Sequence, residues 1–174
     1  MKTTLTPIEH VSAEAAYEAV WTSRAALMPW MNWLTDRYVL ADQKAFHARA
    51  SVLRSAGMEF NYAITTDDDR VMGVSGLHRI DLLYGVAEGG YWVRSDHWRE
   101  GIATQSVQAL LTRAFGQHAL ARVEFIVDCE NTASCGLLEK LGLAREALLG
   151  ERVIRGESRR DAWLYAALRS TWTS

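Results

Sequence analysis

The residues with the most chemical promise lie between Glu88 and Leu143. The string Glu88-Gly-Gly-Tyr91-Trp-Val-Arg94 reads as a strand interrupted by paired glycines. Glycines at such a place mark a bulge or a backbone that a ligand approaches closely. Next come His97-Trp98-Arg99-Glu100-Gly101-Ile102-Ala103-Thr104 and, without a break, a helical pattern. A turn that opens a helix leaves several backbone N–H groups unpaired at its partly positive end, an arrangement that suits a phosphate. Gly101 would let an anion reach that backbone with no Cβ in the way. Such loops are common, so the second half of the segment matters more. Asn131 stands as an N-cap before a short helix, with Ser134 three residues on and Gly142 at the natural C′ position.

Two helices and a sheet must position these groups. Apolar residues at helical spacing predict a helix from Ser12 to about Leu34, ended or kinked at Pro29. A second helix is predicted from Asp42, taken as its N-cap, with Ala45, Phe46, Arg49, Val52 and Leu53 on one face. Strands are predicted over Phe60–Thr65, Val71–Leu77, Glu88–Arg94, Arg122–Asp128, Glu146–Ile154 and Asp161–Leu168, and a helix over Gly101–Gly116. The order ααββ, βαβα, ββ has no internal repeat or linker. It predicts one mixed α/β domain: N-terminal helices at about 12–55, a core at about 86–143 and a closing hairpin at about 146–169.

Composition bounds the rest. The chain has 174 residues, 49% apolar and 23% charged, which is one ordinary globular domain. Its 19 basic and 21 acidic residues give a net charge of −2 and no basic footprint for nucleic acid. The longest uncharged run, Gly101–Thr112, has 12 residues, well short of the ~20 needed to span a membrane. The first residues carry no signal-peptide pattern, so the expected compartment is the cytoplasm. Cys129 and Cys135 make no disulfide framework and are expected in or near the core, and the five histidines show no metal spacing. No metal is expected.

Taken together, Glu88-x-Gly-Tyr-Trp, Trp98-x-x-Gly101-x-Ala103-Thr104, Asn131-x-x-Ser134, Glu139-Lys-Leu-Gly142 and Asp161-x-x-x-Tyr165 resemble the GNAT superfamily of acetyl-CoA-dependent N-acetyltransferases. The closer resemblance is to the RimJ/RimL type, which acts on ribosomal-protein N-termini and has relatives acting on small amines. The match covers about 80 residues at family spacing. It implies a twisted mixed sheet of about six to seven strands, with its fourth and fifth splayed, flanked by about four helices.

The resemblance also implies a site. The pantetheine arm would lie in the cleft along Tyr91, Trp92 and Val93, reaching Asn131 and Ser134. The pyrophosphate would rest on the backbone from Arg99 through Glu100, Gly101, Ile102 and Ala103 to Thr104, beside Trp98. This chain has Trp98 where the family usually has Gln or Arg, and Glu100 where a basic residue is common. Glu100 would repel a pyrophosphate unless it faced solvent or paired with Arg99. Leu138 occupies the position of the usual tyrosine that donates to the departing thiolate, so Ser134 takes that role by resemblance. The oxyanion would meet backbone N–H groups of the Glu88–Arg94 strand. Glu88 and Glu151 compete as the base, Glu88 being preferred for its register. A modest base suffices for an α-amine, whose pKa is about 8 against about 10.4 for lysine.

The expected acceptor is a peptide N-terminus or small-molecule amine. The aromatics Trp21, Trp30, Trp33, Tyr38 and Phe46 are expected mostly in the core, with one or two lining its pocket. A homodimer stays open. The alternative is a catalytically silent coenzyme A-binding module with the same fold.

Overall fold

A computed structural model describes residues 1–173. The elements are β1 (Thr3–Pro7), α1 (Ala13–Leu27), α2 (Leu40–Ser55), β2 (Phe60–Thr66), β3 (Val71–Asp81), β4 (Val86–Val93), α3 (Ile102–Gly116), β5 (Arg122–Asp128), α4 (Thr132–Lys140), β6 (Ala144–Arg155) and β7 (Ser158–Leu168). They form a single mixed α/β domain on a seven-stranded sheet of order β1-β2-β3-β4-β5-β7-β6.

Every neighbouring pair is antiparallel except β4 and β5, which run parallel. Their pairing stops after Val86↔Arg122, Ala87↔Val123 and Glu88↔Glu124. Beyond Glu88 the two strands part, as the resemblance implies. Phe125 fills the fork: a Cβ added at Gly89 would meet its ring at 2.6 Å, and Tyr91 packs edge-on against it at 6.3 Å. The facing edges of Gly89–Val93 and Phe125–Asp128 are therefore open to a ligand.

Two apolar layers cover the sheet. Val107, Leu110, Leu111 and Ala114 of α3 are fully buried and share one cluster with Leu138 of α4, Phe125 and Tyr165. On the other side, Ala16, Ala19, Val20 and Leu27 of α1 pack with Ala50 of α2 and with Trp92.

Several expectations need correction. The helix α1 stops at Leu27, two residues before Pro29, where its end or kink was expected, so the apolar pattern on to Leu34 does not continue it. Its N-cap is Ser12, whose Oγ accepts the Ala15 N–H at 3.1 Å. Asp42 is not the N-cap of α2 but its third residue, with its carboxylate reaching back to the Val39 N–H at 2.9 Å. The seventh strand, β1, is a Thr-rich edge strand with proline at its end, a pattern with almost no apolar signal. Finally, β3 runs on to Asp81 through an irregularity at Arg79, whose φ is +48°. Cys129 and Cys135 are free and half-buried.

Candidate active site

The loop from Trp98 to Thr104 is built to present backbone. Arg99 has φ +68° and Gly101 φ +79°, left-handed positions separated by one residue. Arg99 holds a conformation that L side chains avoid, which is the kind of strain that gathers at ligand sites. Gly101 is the N-cap of α3 and supplies no side-chain cap. The first intrahelical bond is Gln105 N–H to Gly101 O at 3.0 Å, which leaves the N–H groups of Ile102, Ala103 and Thr104 free for an anion. Trp98 anchors the loop, since its indole N–H donates to Val93 O at the end of β4 at 2.9 Å. A second anchor is Arg94, paired with Asp96 at 2.9 Å and Glu18 at 3.2 Å, while the Ser95 N–H donates to Ser23 Oγ on α1.

Glu100 is exposed to solvent, one of the two arrangements expected of it, and does not pair with Arg99. His97 Nδ1 lies 3.0 Å from its carboxylate and turns it aside. It is the one residue of the expected coenzyme set that does not line the cavity beside this loop. That cavity, about 520 Å³, brings together Tyr91, Trp92, Val93, Trp98, Arg99, Gly101, Ile102, Ala103, Thr104, Asn131 and Ser134. Its far wall, Leu27, Trp30 and Met31, comes from the end of α1 and the turn after it; of these only Trp30 was expected near a pocket, on the acceptor side. Arg155 of the closing hairpin sits 5.1 Å over the Trp30 ring and pins that wall.

A narrower cleft of about 200 Å³ continues between the splayed strands, past Glu88, Gly90, Tyr91, Asn131 and Ser134. At the junction the Tyr91 hydroxyl and Ser134 Oγ lie 2.7 Å apart. Burial pushes the Tyr91 phenol up to about 12, against the opposing pull of its Ser134 hydrogen bond, so it stays neutral, and either hydroxyl of the pair can donate. Asn131 fixes the other partner, its Oδ1 accepting the Ser134 N–H at 3.2 Å. Leu138 is fully buried among core residues. Tyr165 is buried too, and donates to Glu139 at 2.9 Å.

The two glutamates differ sharply. Glu88 lines the cleft, but Arg79 holds its carboxylate at 2.9 Å and Arg152 stands at 3.9 Å. Both guanidiniums occupy the carboxylate that would have to reach the amine. Glu151 is exposed and lines none of the three cavities. It occupies a break in the β6–β7 register with φ +51°, where its N–H donates to Asp161 at 2.8 Å.

A third cavity, about 510 Å³, opens on the α1/α2 side of β4 and shares Gly90 and Tyr91 with the cleft. Trp33, Tyr38 and Phe46 line it; Trp21 lines none and is 53% exposed. None of the five N-terminal aromatics is fully buried, contrary to expectation. Helical spacing shows which residues share a face, not whether that face meets core or cavity. Among the described residues, no cluster of His, Cys, Asp or Glu could hold a metal, and no helix is long and apolar enough to cross a membrane.

Comparison with known proteins fits this geometry. The model described as Acetyltransferase (GNAT) domain matches residues 2–144. The ribosomal-protein-serine acetyltransferase of Escherichia coli (strain K12) is 25% identical over 154 residues, 87% of this chain and 84% of that protein. The uncharacterized N-acetyltransferase p20 of Bacillus licheniformis is 40% identical over 86 residues, 49% of this chain and 48% of the relative. Against that relative the matched stretch spans about half the protein's length. Among solved structures, RimL, a ribosomal L7/L12 α-N-protein acetyltransferase in complex with coenzyme A, superposes with a TM-score of 0.85 at 20% identity, covering 97% of this chain and 94% of that one. The microcin C7 self-immunity acetyltransferase MccE, in complex with acetyl-CoA and AMP, gives 0.86 at 19% identity, covering 96% and 92%. At such identities these structures speak for the fold. With the family model matching most of its length, the chain belongs to the GNAT acetyltransferase family.

Proposed function

We propose that this protein is an acetyl-CoA-dependent N-acetyltransferase, acting in the cytoplasm on the α-amine of a peptide or on a small primary amine, by direct transfer within a ternary complex. The observation that carries the reading is the meeting of three cavities at Tyr91, two of which also share Gly90. Two substrates can enter from opposite faces of β4 and touch there, with no side chain needed as a covalent carrier.

Acetyl-CoA fits the loop and the fork. The N–H groups of Ile102, Ala103 and Thr104 would take the pyrophosphate, and the Glu100 carboxylate is turned aside onto His97 Nδ1. A Cβ at Gly101 would have only Gln105 Nε2 within reach, at 4.0 Å, so the space above it is open for an anion. The unpaired edge of β4 beyond Glu88 would meet the thioester arm and supply N–H donors for the oxyanion.

Ser134 would donate a hydrogen bond to the departing sulfur. Tyr91, donating to Ser134 Oγ, would orient that hydroxyl so that its own proton points outward. Neither Glu88, engaged by two arginines, nor Glu151, outside the cavities, is well placed for the amine's proton.

A thiol-release assay with acetyl-CoA and a panel of primary amines, with products identified by mass spectrometry, tests the reading. Amine-dependent release with an N-acetylated product supports it. Coenzyme binding without turnover on any amine would favour the silent module instead.

A further inference from the structure

The cavity on the α1/α2 side has a distinct chemistry. Trp33, Tyr38, Phe46 and Trp92 wall it, and the bare backbone of Gly76 and Gly90 forms its floor. The walls are braced: Tyr38 stands edge-on to Trp33 at 5.4 Å, and its O–H donates to the buried Gln43 at 2.6 Å. Enclosures of this size and polarity suit a small apolar ligand group. Among the described residues, no Asp or Glu lines it; the ionisable residues present are Arg49, His78 and the two tyrosines. A second ammonium on the substrate would find no counter-charge there.

His78 occupies the floor. Its Nδ1 faces Glu59 Oε2 at 3.6 Å. Glu59 is held in turn by the Asn61 side-chain amide at 3.2 Å and by Arg49 at 3.6 Å. The other ring nitrogen, Nε2, lies over the glycines: a Cβ on Gly76 would meet it at 3.2 Å and one on Gly90 at 3.8 Å. Gly76 pairs with Gly90 across the ladder, so this nitrogen lies beside the point where the cavity joins the cleft. With Nδ1 on the side of the Glu59 carboxylate, Nε2 is the ring nitrogen turned to the cavity, and imidazole is the commonest side-chain base.

We propose that this cavity is the acceptor site, that it takes a primary amine carried on a flat uncharged group, and that His78 Nε2 receives the ammonium proton. The proposal rests on the N-acetyltransferase reading above. The ammonium gives one proton to Nε2, with Glu59 beside the resulting imidazolium. The neutral nitrogen then bonds to the acetyl carbon as the carbon–sulfur bond breaks. A second nitrogen proton ends on the sulfur as thiol, and the proton on His78 leaves to water.

The experiment compares 2-phenylethylamine and a tripeptide beginning with phenylalanine, which share the ring and the primary amine, with spermidine. At least one of the two ring-bearing amines should exceed spermidine tenfold in kcat/KM. His78→Gln should lower kcat about 100-fold, within the range of a lost general base, while calorimetry shows unchanged acetyl-CoA affinity. His78→Gly should regain activity with added imidazole, which repair of a merely structural defect would not give. Phe46→Ala should raise the KM for 2-phenylethylamine but not for methylamine. Preference for spermidine, or full activity in His78→Gln, overturns the proposal while leaving acetyl transfer intact. A wild-type protein that acetylates no amine overturns both.

Discussion

Removing the Ser134 hydroxyl should do two separable things. In Ser134→Ala the departing sulfur loses its donor. One such donor is commonly worth about 2–4 kcal/mol in the transition state, so kcat should fall about 30- to 1000-fold with the acetyl-CoA KM nearly unchanged. The same change strands the Tyr91 hydroxyl, which in the intact protein bonds Ser134 at 2.7 Å from a largely buried position. An unsatisfied buried hydroxyl costs about 1–3 kcal/mol, or a Tm drop of about 2–12 °C for a domain of this size. Tyr91→Phe removes that hydroxyl, so the double variant Tyr91→Phe/Ser134→Ala should recover part of the lost stability. The coupling between the two positions should be about 0.5–3 kcal/mol. Recovery of stability must not recover kcat, because the donor to sulfur is still missing. Thiol-release kinetics and thermal unfolding on the four proteins read both quantities. A wild-type kcat in Ser134→Ala would refute the leaving-group role, and strictly additive stabilities would refute the pairing.

Gly101→Glu should weaken acetyl-CoA at least tenfold by calorimetry, about 1.4 kcal/mol or more, because it puts a carboxylate and a strained φ of +79° at the phosphate loop; unchanged affinity would displace the phosphate from this loop. Gly89→Ala should destabilise by about 1–3 kcal/mol in thermal unfolding, since its Cβ would enter the Phe125 ring at 2.6 Å and the Val123 side chain at 3.0 Å. Burial raises the Tyr91 phenol from 10 to about 12, so the unfolded chain ionises first as pH rises. Its stabilising effect is complete below pH 10 and lost between about pH 10 and 12, roughly 2–3 kcal/mol in all; denaturant midpoints of Tyr91→Phe across that window should fall less steeply than wild type.

The parts of the site legible in the sequence are those written by local spacing. The strand Glu88–Arg94, the loop to Thr104 and the Asn131 cap with Ser134 are short segments whose chemistry travels with their residue order. The pairing of Tyr91 with Ser134 spans 43 positions and depends on where β4 leaves β5, which no local pattern encodes. His78 and Glu59 were equally hidden, because a lone histidine in a strand looks the same whether it faces solvent or a cavity. For Glu100 the residue type left two arrangements open; the structure shows it exposed, with His97, three residues before it, as its partner instead of Arg99. In the fold, Pro29 marked the end of α1 to within two residues, and β1 escaped because its alternation rests on threonines around Leu5.

The most direct measurement of the central claim is the initial-rate pattern with acetyl-CoA and a primary amine varied together, the N-acetyl product being identified by mass. Direct transfer at the junction by Gly90 and Tyr91 predicts an N-acetylated amine and double-reciprocal lines that intersect. Parallel lines, which signal an acetylated enzyme, or coenzyme binding with no acetylated product, would contradict it.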